Sequence, residues 1–332
     1  MSKAKFIAEW EKQQATILAM PHKDSDWKPY LKQAQNKMIE IITHIARFQL
    51  VIVLYKYPKD IEKINKISNV KCVQIDTNDT WCRDFMPLSL VKKNKLILLD
   101  FMFNAWGLKY SANLDNTATN NLFNQNIFKN AVLKKKSFIL EGGSIETNGD
   151  GILLTTSKCL LESNRNFLSK KRIEKKLKNY LNVNRILWLE NGKLEGDDTD
   201  LHIDNIARFV NKNTIVYLKC EDERDSHYNP LCAMENELKK FRDNNNKPFN
   251  LIPLPMPKAI FYKKRRLPAS YINFVFVNGA LLLPIFKDKN DDIAINIFKK
   301  ILKDRVVIPI DSSVLIRQGG GLHCLSMQIP SL

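Results

Sequence analysis

Cysteine is scarce in this chain. It has six in 332 residues, none in a C-x-x-C pair, which excludes a small disulfide-stapled scaffold. Cys220, His227 and Cys232 lack the spacing of a metal finger, so no metal is expected. A long apolar run is missing too. The most apolar window, residues 271–286, is broken by Asn278-Gly279 and Pro284 and falls short of the roughly 20 residues that a spanning helix needs. Residues 1–14 turn charged before an apolar stretch of signal length accumulates, so the expectation is a cytoplasmic protein with reduced thiols and no membrane partner. A cysteine that matters there is a nucleophile or a ligand. The phosphate-cradling G-x-x-x-x-G-K-[ST], the nucleophile elbow G-x-S-x-G and a strand–helix G-x-G-x-x-G are absent. Negative charge is also in deficit: 35 Asp+Glu stand against 52 Lys+Arg, a net charge of +17.

Apolar residues make up 44% of the chain, enough for a folded core and too many for a disordered one. The charge raises the question of a polyanionic partner. Two basic clusters stand out, Lys170-Lys171-Arg172 with Lys175, Lys176 and Lys178, and Lys263-Lys264-Arg265-Arg266. The first fits the polar face of an amphipathic helix with Ile173, Leu177 and Leu181 inside. Neither interleaves aromatic residues in the manner of a single-strand binding groove, so no nucleic-acid partner is expected.

Hairpins recur along the chain. Apolar runs pair across turns at residues 85–90 and 96–101, 144–146 and 152–156, 206–210 and 214–218, and 274–277 and 280–285. Asn148-Gly149 and Asn278-Gly279 are strong hairpin signals. Helical patterns lie between them at 30–48, 161–181, 231–241 and 293–302, followed by short buried strands at 51–54, 185–189, 249–252 and 306–310. One strand remains near each terminus, 15–20 and 324–329, and pairing them completes a fifth unit and removes exposed sheet edges. No Pro/Gly/Ser-rich linker divides the chain. The expectation is one closed α/β domain over residues 1–332, built from about five repeats.

Polar residues gather at the same point of successive units: Asp84 before the first hairpin, Glu141 entering the second, His202 and Asp204 before the third, and Cys324 entering the last strand. In a closed repeat such positions face one axis and converge on one cavity. On a strand, His202 and Asp204 point to the same face. Each residue alone has a plainer explanation: a surface His/Asp pair, a turn carboxylate, a partner for Arg83, a buried cysteine packing as a small hydrophobe. Together, one cysteine, one histidine and three carboxylates suit a thiolate acting on a cation, because carboxylates grip a guanidinium through paired charge-assisted hydrogen bonds and leave its carbon open.

These motifs resemble the agmatine deiminase and peptidylarginine deiminase-like family of guanidine-modifying enzymes, which have the pentein fold. Asn78-Asp79-Thr80-Trp81-Cys82-Arg83-Asp84 is similar to the family's N-D-T-W-x-R-D, and Phe103-Asn104-Ala105-Trp106-Gly107 to its F-N-x-W-G. Glu141-Gly142-Gly143-Ser144 resembles its E-G-G-S, and Cys159-Leu160-Leu161-Glu162-Ser163-Asn164-Arg165-Asn166 its C-L-L-x-x-N-R-N. Ala8-Glu9-Trp10-Glu11, Met20-Pro21-His22, His202-Ile203-Asp204 and His323-Cys324 with Gln328 and Pro330 complete a set spanning almost the whole chain.

The resemblance implies a five-bladed β/α propeller with pseudo-fivefold repeats around a central active site. It implies Cys324 as nucleophile, His202 as general acid and base, Asp84 and Asp204 as the guanidinium clamp, and Glu141 as the residue orienting His202. It implies no organic cofactor. The agmatine branch fits best, since residues 190–204 hold Glu190, Glu195, Asp197, Asp198, Asp200 and Asp204 against Lys193 alone, as a substrate ending in an amine requires. Trp81 and Trp106 are expected along its aliphatic chain or cation, and Asp198 at its amine. Another guanidine, such as arginine, methylarginine or peptidylarginine, is the alternative substrate, and a nucleic-acid-binding protein on an inactive scaffold a remote one. A homodimer is the expected assembly. Met86, Leu201 and Gly321 depart from the residues usual at their positions, which are Gly, Gly and a polar residue.

Overall fold

The computed structural model describes residues 3–332. Five of its sheets repeat one plan: an antiparallel pair, then a helix, then a strand that returns parallel to the second of the pair. In the first, Met327–Pro330 lies antiparallel to Gln13–Ala19, and Leu50–Tyr55 returns after the helix Leu31–Ala46, with Val70–Gln74 added outside. The two termini thus meet in one sheet, as the leftover strands suggested.

The second sheet pairs Leu88–Lys92 with Lys95–Met102 and returns Ala131–Ile139 after the helix Asp115–Asn124, with Lys5–Phe6 on its edge. The third pairs Ile145–Thr147 with Ile152–Thr156 and returns Arg185–Leu189 after the helix Lys170–Leu181. The fourth pairs Ala207–Asn211 with Thr214–Lys219 and returns Asn250–Pro255 after Tyr228–Lys240. The fifth pairs Val275–Val277 with Ala280–Ile285 and returns Val306–Asp311 after Asp291–Ile301.

The helices form because apolar residues recur at helical spacing: Ala34, Met38, Ile41, Ile42 and Ile45 in one, Ile173, Leu177 and Leu181 in another, all buried. In the latter the basic cluster is the solvent face, and the helix ends on Asn182 in the left-handed conformation. This helix starts at Lys170 rather than at 161. The intervening segment leaves helical geometry because Arg165 and Asn166 are spent on tertiary hydrogen bonds, Arg165 to Glu141 and Asn166 to the backbone of Ile139. The second basic cluster sits on a small hairpin, Phe261–Tyr262 with Arg265–Arg266, whose turn holds Lys263 and Lys264 at positive φ. Among the described residues, no helix is long and apolar enough to cross a membrane.

Candidate active site

A single helical turn precedes the first strand of four sheets: Cys82–Phe85, Gly142–Ser144, Ile203–Asn205 and Leu322–Leu325. The five predicted catalytic residues ride on these turns or immediately before them. This corrects the strand placement of two of them. His202 is the residue capping the turn Ile203–Asn205, and Cys324 lies inside the turn Leu322–Leu325, with the terminal strand starting only at Met327. A turn raises the side chain off the sheet, so convergence is set by turns meeting end to end rather than by strand alternation.

The meeting point is Gly143. A Cβ there would lie 2.6 Å from His202 Nδ1, 2.9 Å from Asp84 Oδ1 and 3.0 Å from Asp204 Oδ2. Two sheets therefore deliver three ionisable groups, Asp84 from one and His202 and Asp204 from the other, to a spot on a third that only glycine leaves open.

Cys324 is buried, and its Sγ lies 3.2 Å from Asn273 Nδ2 and 3.7 Å from Asp204 Oδ2. Burial, then the charges of Asp204 and Asp84, push its thiol well above the ordinary value. Asp204 Oδ2 accepts from His323 Nδ1 at 2.7 Å, while Asp204 Oδ1 has no partner. Burial raises the Asp204 carboxyl, but His323 outweighs it and holds the carboxyl below its usual value. The other nitrogen of His323 meets Glu9 Oε2 at 2.6 Å. Glu9 in turn takes Arg208 Nη2 at 2.8 Å and Arg83 Nη2 at 3.4 Å, and Arg208 also pairs with Glu146. Burial opposes the charge on Glu9, and Arg208, His323 and Arg83 together overcome it, so its carboxyl sits far below the ordinary range. Arg83, the neighbour of Asp84 in sequence, thus serves Glu9 and Gln328 rather than Asp84.

The histidine side differs. Neither ring nitrogen of the buried His202 has a hydrogen-bond partner, and Asp84 Oδ1 stands 3.7 Å from its Nδ1. Burial disfavours the imidazolium, but Asp84, then Cys159 and Glu141, prevail and raise His202 well above its ordinary value. Burial raises Asp84 to about 6 against the pull of His202. Asp84 is fixed by Gly143 N at 2.9 Å on Oδ1 and by Trp106 Nε1 at 3.0 Å on Oδ2. Glu141, Cys159 and His202 bring potential ligand atoms within 4.8 Å of one another. The Glu141 carboxylate is spanned by Arg165 Nε at 3.0 and 2.9 Å, and it makes no hydrogen bond to His202.

A pocket leads to Cys324 past Trp81, Asp84, Trp106 and Asp198, with Asp26, Asp79 and Tyr110 also in its wall. Trp81 donates to Asp79 at 3.2 Å and packs against Trp27, and a Cβ on Gly320 would come within 2.4 Å of its ring. Trp106 lies in a left-handed turn over Ala105–Leu108, where Ala105, Trp106 and Leu108 all have positive φ. Left-handed geometry is costly for such residues; here it aims the indole N–H at Asp84. Asp198 Oδ2 accepts from Tyr110 Oη at 2.7 Å. The remaining acids of residues 190–204 serve the frame: Glu190 pairs with Lys170, Glu195 with Lys193, Asp200 with Lys109 and Arg165, and Asp197 accepts from Thr199 and Leu201.

Of the three unusual residues, Leu201 has φ 73, in the left-handed region where glycine is at ease, and its carbonyl is held by Thr156 Oγ1 at 2.7 Å. Met86 has φ −86 and extended geometry, which any residue adopts. Asn273, Glu9, His323, Arg165 and Cys159 were not singled out as site residues from the sequence. All but Asn273 lie inside the motifs already noted. The signal for Asn273 was its place in the fifth unit, next to the strand Val275–Val277, where the other units carry their site residues.

A family model described as Porphyromonas-type peptidyl-arginine deiminase matches residues 5–330. The agmatine deiminase of Medicago truncatula is 30% identical over 98% of this chain and 96% of its own. That of Pseudomonas aeruginosa (strain LESB58) is 30% identical over 98% and 95%. The structure of the C. jejuni agmatine deiminase with substrate bound is 46% identical, superposes with a TM-score of 0.94, and covers 98% of this chain and 96% of that one. The mixed α/β fold described above is the fold of that structure.

Proposed function

Because the chain belongs to the Porphyromonas-type peptidyl-arginine deiminase family, we propose that it hydrolyses agmatine to N-carbamoylputrescine and ammonia through a covalent intermediate on Cys324. One observation carries the reading: Cys324 Sγ, the unpartnered Asp204 Oδ1, Asp84 and the unpartnered ring of His202 form one buried cluster at the base of a pocket with an acidic wall. The two carboxylates bind the guanidinium. Its positive charge offsets theirs and so favours the thiolate, which the free site disfavours, and the thiol proton leaves to solvent as the substrate binds. Sulfur attacks the guanidinium carbon. The bond from that carbon to a terminal nitrogen breaks, and the imidazolium of His202 protonates the departing ammonia. The neutral imidazole then takes a proton from water, whose oxygen adds to the thiouronium carbon. Collapse expels the thiolate and leaves the urea, and the proton remaining on the former water oxygen passes to solvent, where the released ammonia takes it up as ammonium. Glu141, tied to Arg165, supports the imidazolium through its charge.

In this reading the five sheets are blades around a central site, and residues 1–332 form one catalytic domain, acting in the cytoplasm as a homodimer. Neither metal nor organic cofactor takes part. Trp81 and Trp106 flank the aliphatic chain, and Asp198 meets the amine.

Incubation with agmatine, arginine and an arginine peptide, with ureido product and ammonia measured, is expected to give brisk turnover of agmatine. Turnover of arginine without agmatine would overturn the substrate. Cys324→Ser is expected to lower kcat by at least about 1,000-fold while agmatine still binds; retained activity would sink the mechanism.

A further inference from the structure

We infer that Asn273 is the positioning residue of the nucleophile: its amide N–H group donates to the Cys324 sulfur while its carbonyl oxygen pins the turn on which that cysteine sits. The inference rests on Cys324 being the attacking residue. Asn273 is buried at the place in the fifth unit where the other four carry Asp84, Glu141, Asp204 and Cys324. Its orientation is determined by its partners. Oδ1 accepts from the backbone N–H of His323 at 2.9 Å and of Cys324 at 3.4 Å. Nδ2 therefore faces Asn205 Oδ1 at 2.9 Å, the backbone oxygen of Asp204 at 3.3 Å and Cys324 Sγ at 3.2 Å, closer to the sulfur than Oδ1 at 3.5 Å. One side chain thus ties the cysteine turn to the turn that carries Asp204.

Gly321 adds an independent mark. A Cβ at this position would fall 2.5 Å from Asn273 Oδ1, so any side chain there would displace the amide. The glycine leaves room for this contact.

The chemistry gives the contact its value. Asp204 and Asp84 face Sγ with negative charge and oppose ionisation, and His202 lies across the same cluster. A neutral N–H donor favours the thiolate without competing with a cationic substrate for either carboxylate.

Asn273→Asp retains an acceptor for the two backbone N–H groups, removes the donor and adds a carboxylate. Alkylation of Cys324 by iodoacetamide, followed against pH by peptide mass spectrometry in the full chain, is expected to shift its midpoint up by about one to two pH units. The kcat for agmatine is expected to fall about 10- to 100-fold with KM changed less than about threefold. Asn205→Ala, which frees the amide on its far side, is expected to shift the midpoint the same way by less, and it decides the matter if Asn273→Asp does not fold. An unchanged midpoint in the folded variant, or a loss confined to KM, overturns the inference. Alkylation needs no turnover, so an inactive wild-type protein would refute agmatine hydrolysis while the titration still decides the part played by Asn273.

Discussion

Around Cys324, buried polar groups are tied to one another: Asp204 and Glu9 clasp His323 from its two sides, and Arg83 and Arg208 close on Glu9 from behind. Around His202, neither ring nitrogen has a partner of good geometry: Asp84 Oδ1 stands 3.7 Å from Nδ1, and Cys159 and Glu141 lie close by. In the proposed mechanism the two sides face different tasks. A nucleophile gains from being held where the carbon arrives, so its frame is over-determined. An acid–base group must serve ammonia and then water within one cycle, and a permanent hydrogen bond would compete with both. The unsatisfied histidine, like the unpartnered Asp204 Oδ1, is an energetic cost of burial borne at a place where the proposed function explains it.

Paired substitutions test this contrast. His202→Asn is expected to lower kcat by about 100- to 10,000-fold with a melting temperature close to wild type, since no ring hydrogen bond is lost. Glu9→Gln should do the reverse in kind. It leaves Arg83 and Arg208 without their shared carboxylate and is expected to destabilise the fold by about 3–5 kcal/mol, read as a drop in Tm. Equal melting temperatures would break the comparison.

A smaller effect concerns pH. Burial places Asp84 at about 6, so it gains a proton as pH falls through that value and the clamp loses one negative charge. The expected kcat/KM for agmatine falls about tenfold per pH unit below about pH 6, a limb that should vanish in the weakly active Asp84→Asn. The smallest effect lies outside the site. The net charge of +17 repels a dicationic substrate at long range, so kcat/KM should rise a few-fold between roughly 0.01 and 0.15 M salt, where screening shortens from about 30 to 8 Å. A flat response would show that the acidic wall of the pocket dominates the approach.

The repeat was legible because its signals are local. Asn278-Gly279 specifies a turn by backbone geometry alone, and Ile173, Leu177 and Leu181 specify a helix face by spacing alone. The short turn at Cys82–Phe85 was not legible as a turn, since four residues carry no periodicity, and its first hairpin strand begins at Leu88 instead of residue 85. The segment 161–169 read as helix because its competing partners, Glu141 and the backbone of Ile139, are distant in sequence. Leu201 shows the same limit from another side. Nothing in its side chain announces a φ of 73, a conformation that costs about 1–2 kcal/mol and is held by Thr156 and Asp197.

By itself, the order of motifs determined the repeat and which residue types belong to the chemistry, because hairpin turns and short motifs are written in neighbouring residues. Only the tertiary structure decided which atoms are free and which are spent. Asp198 and Asp204 reach the site while Glu190, Glu195, Asp197 and Asp200 hold the frame; Glu141 belongs to Arg165; and Asn273 joins Cys324 from 51 residues away. Hydrogen-bond capacity is finite, and where it goes depends on what the fold brings within 3 Å or so, a distance that no spacing along the chain encodes.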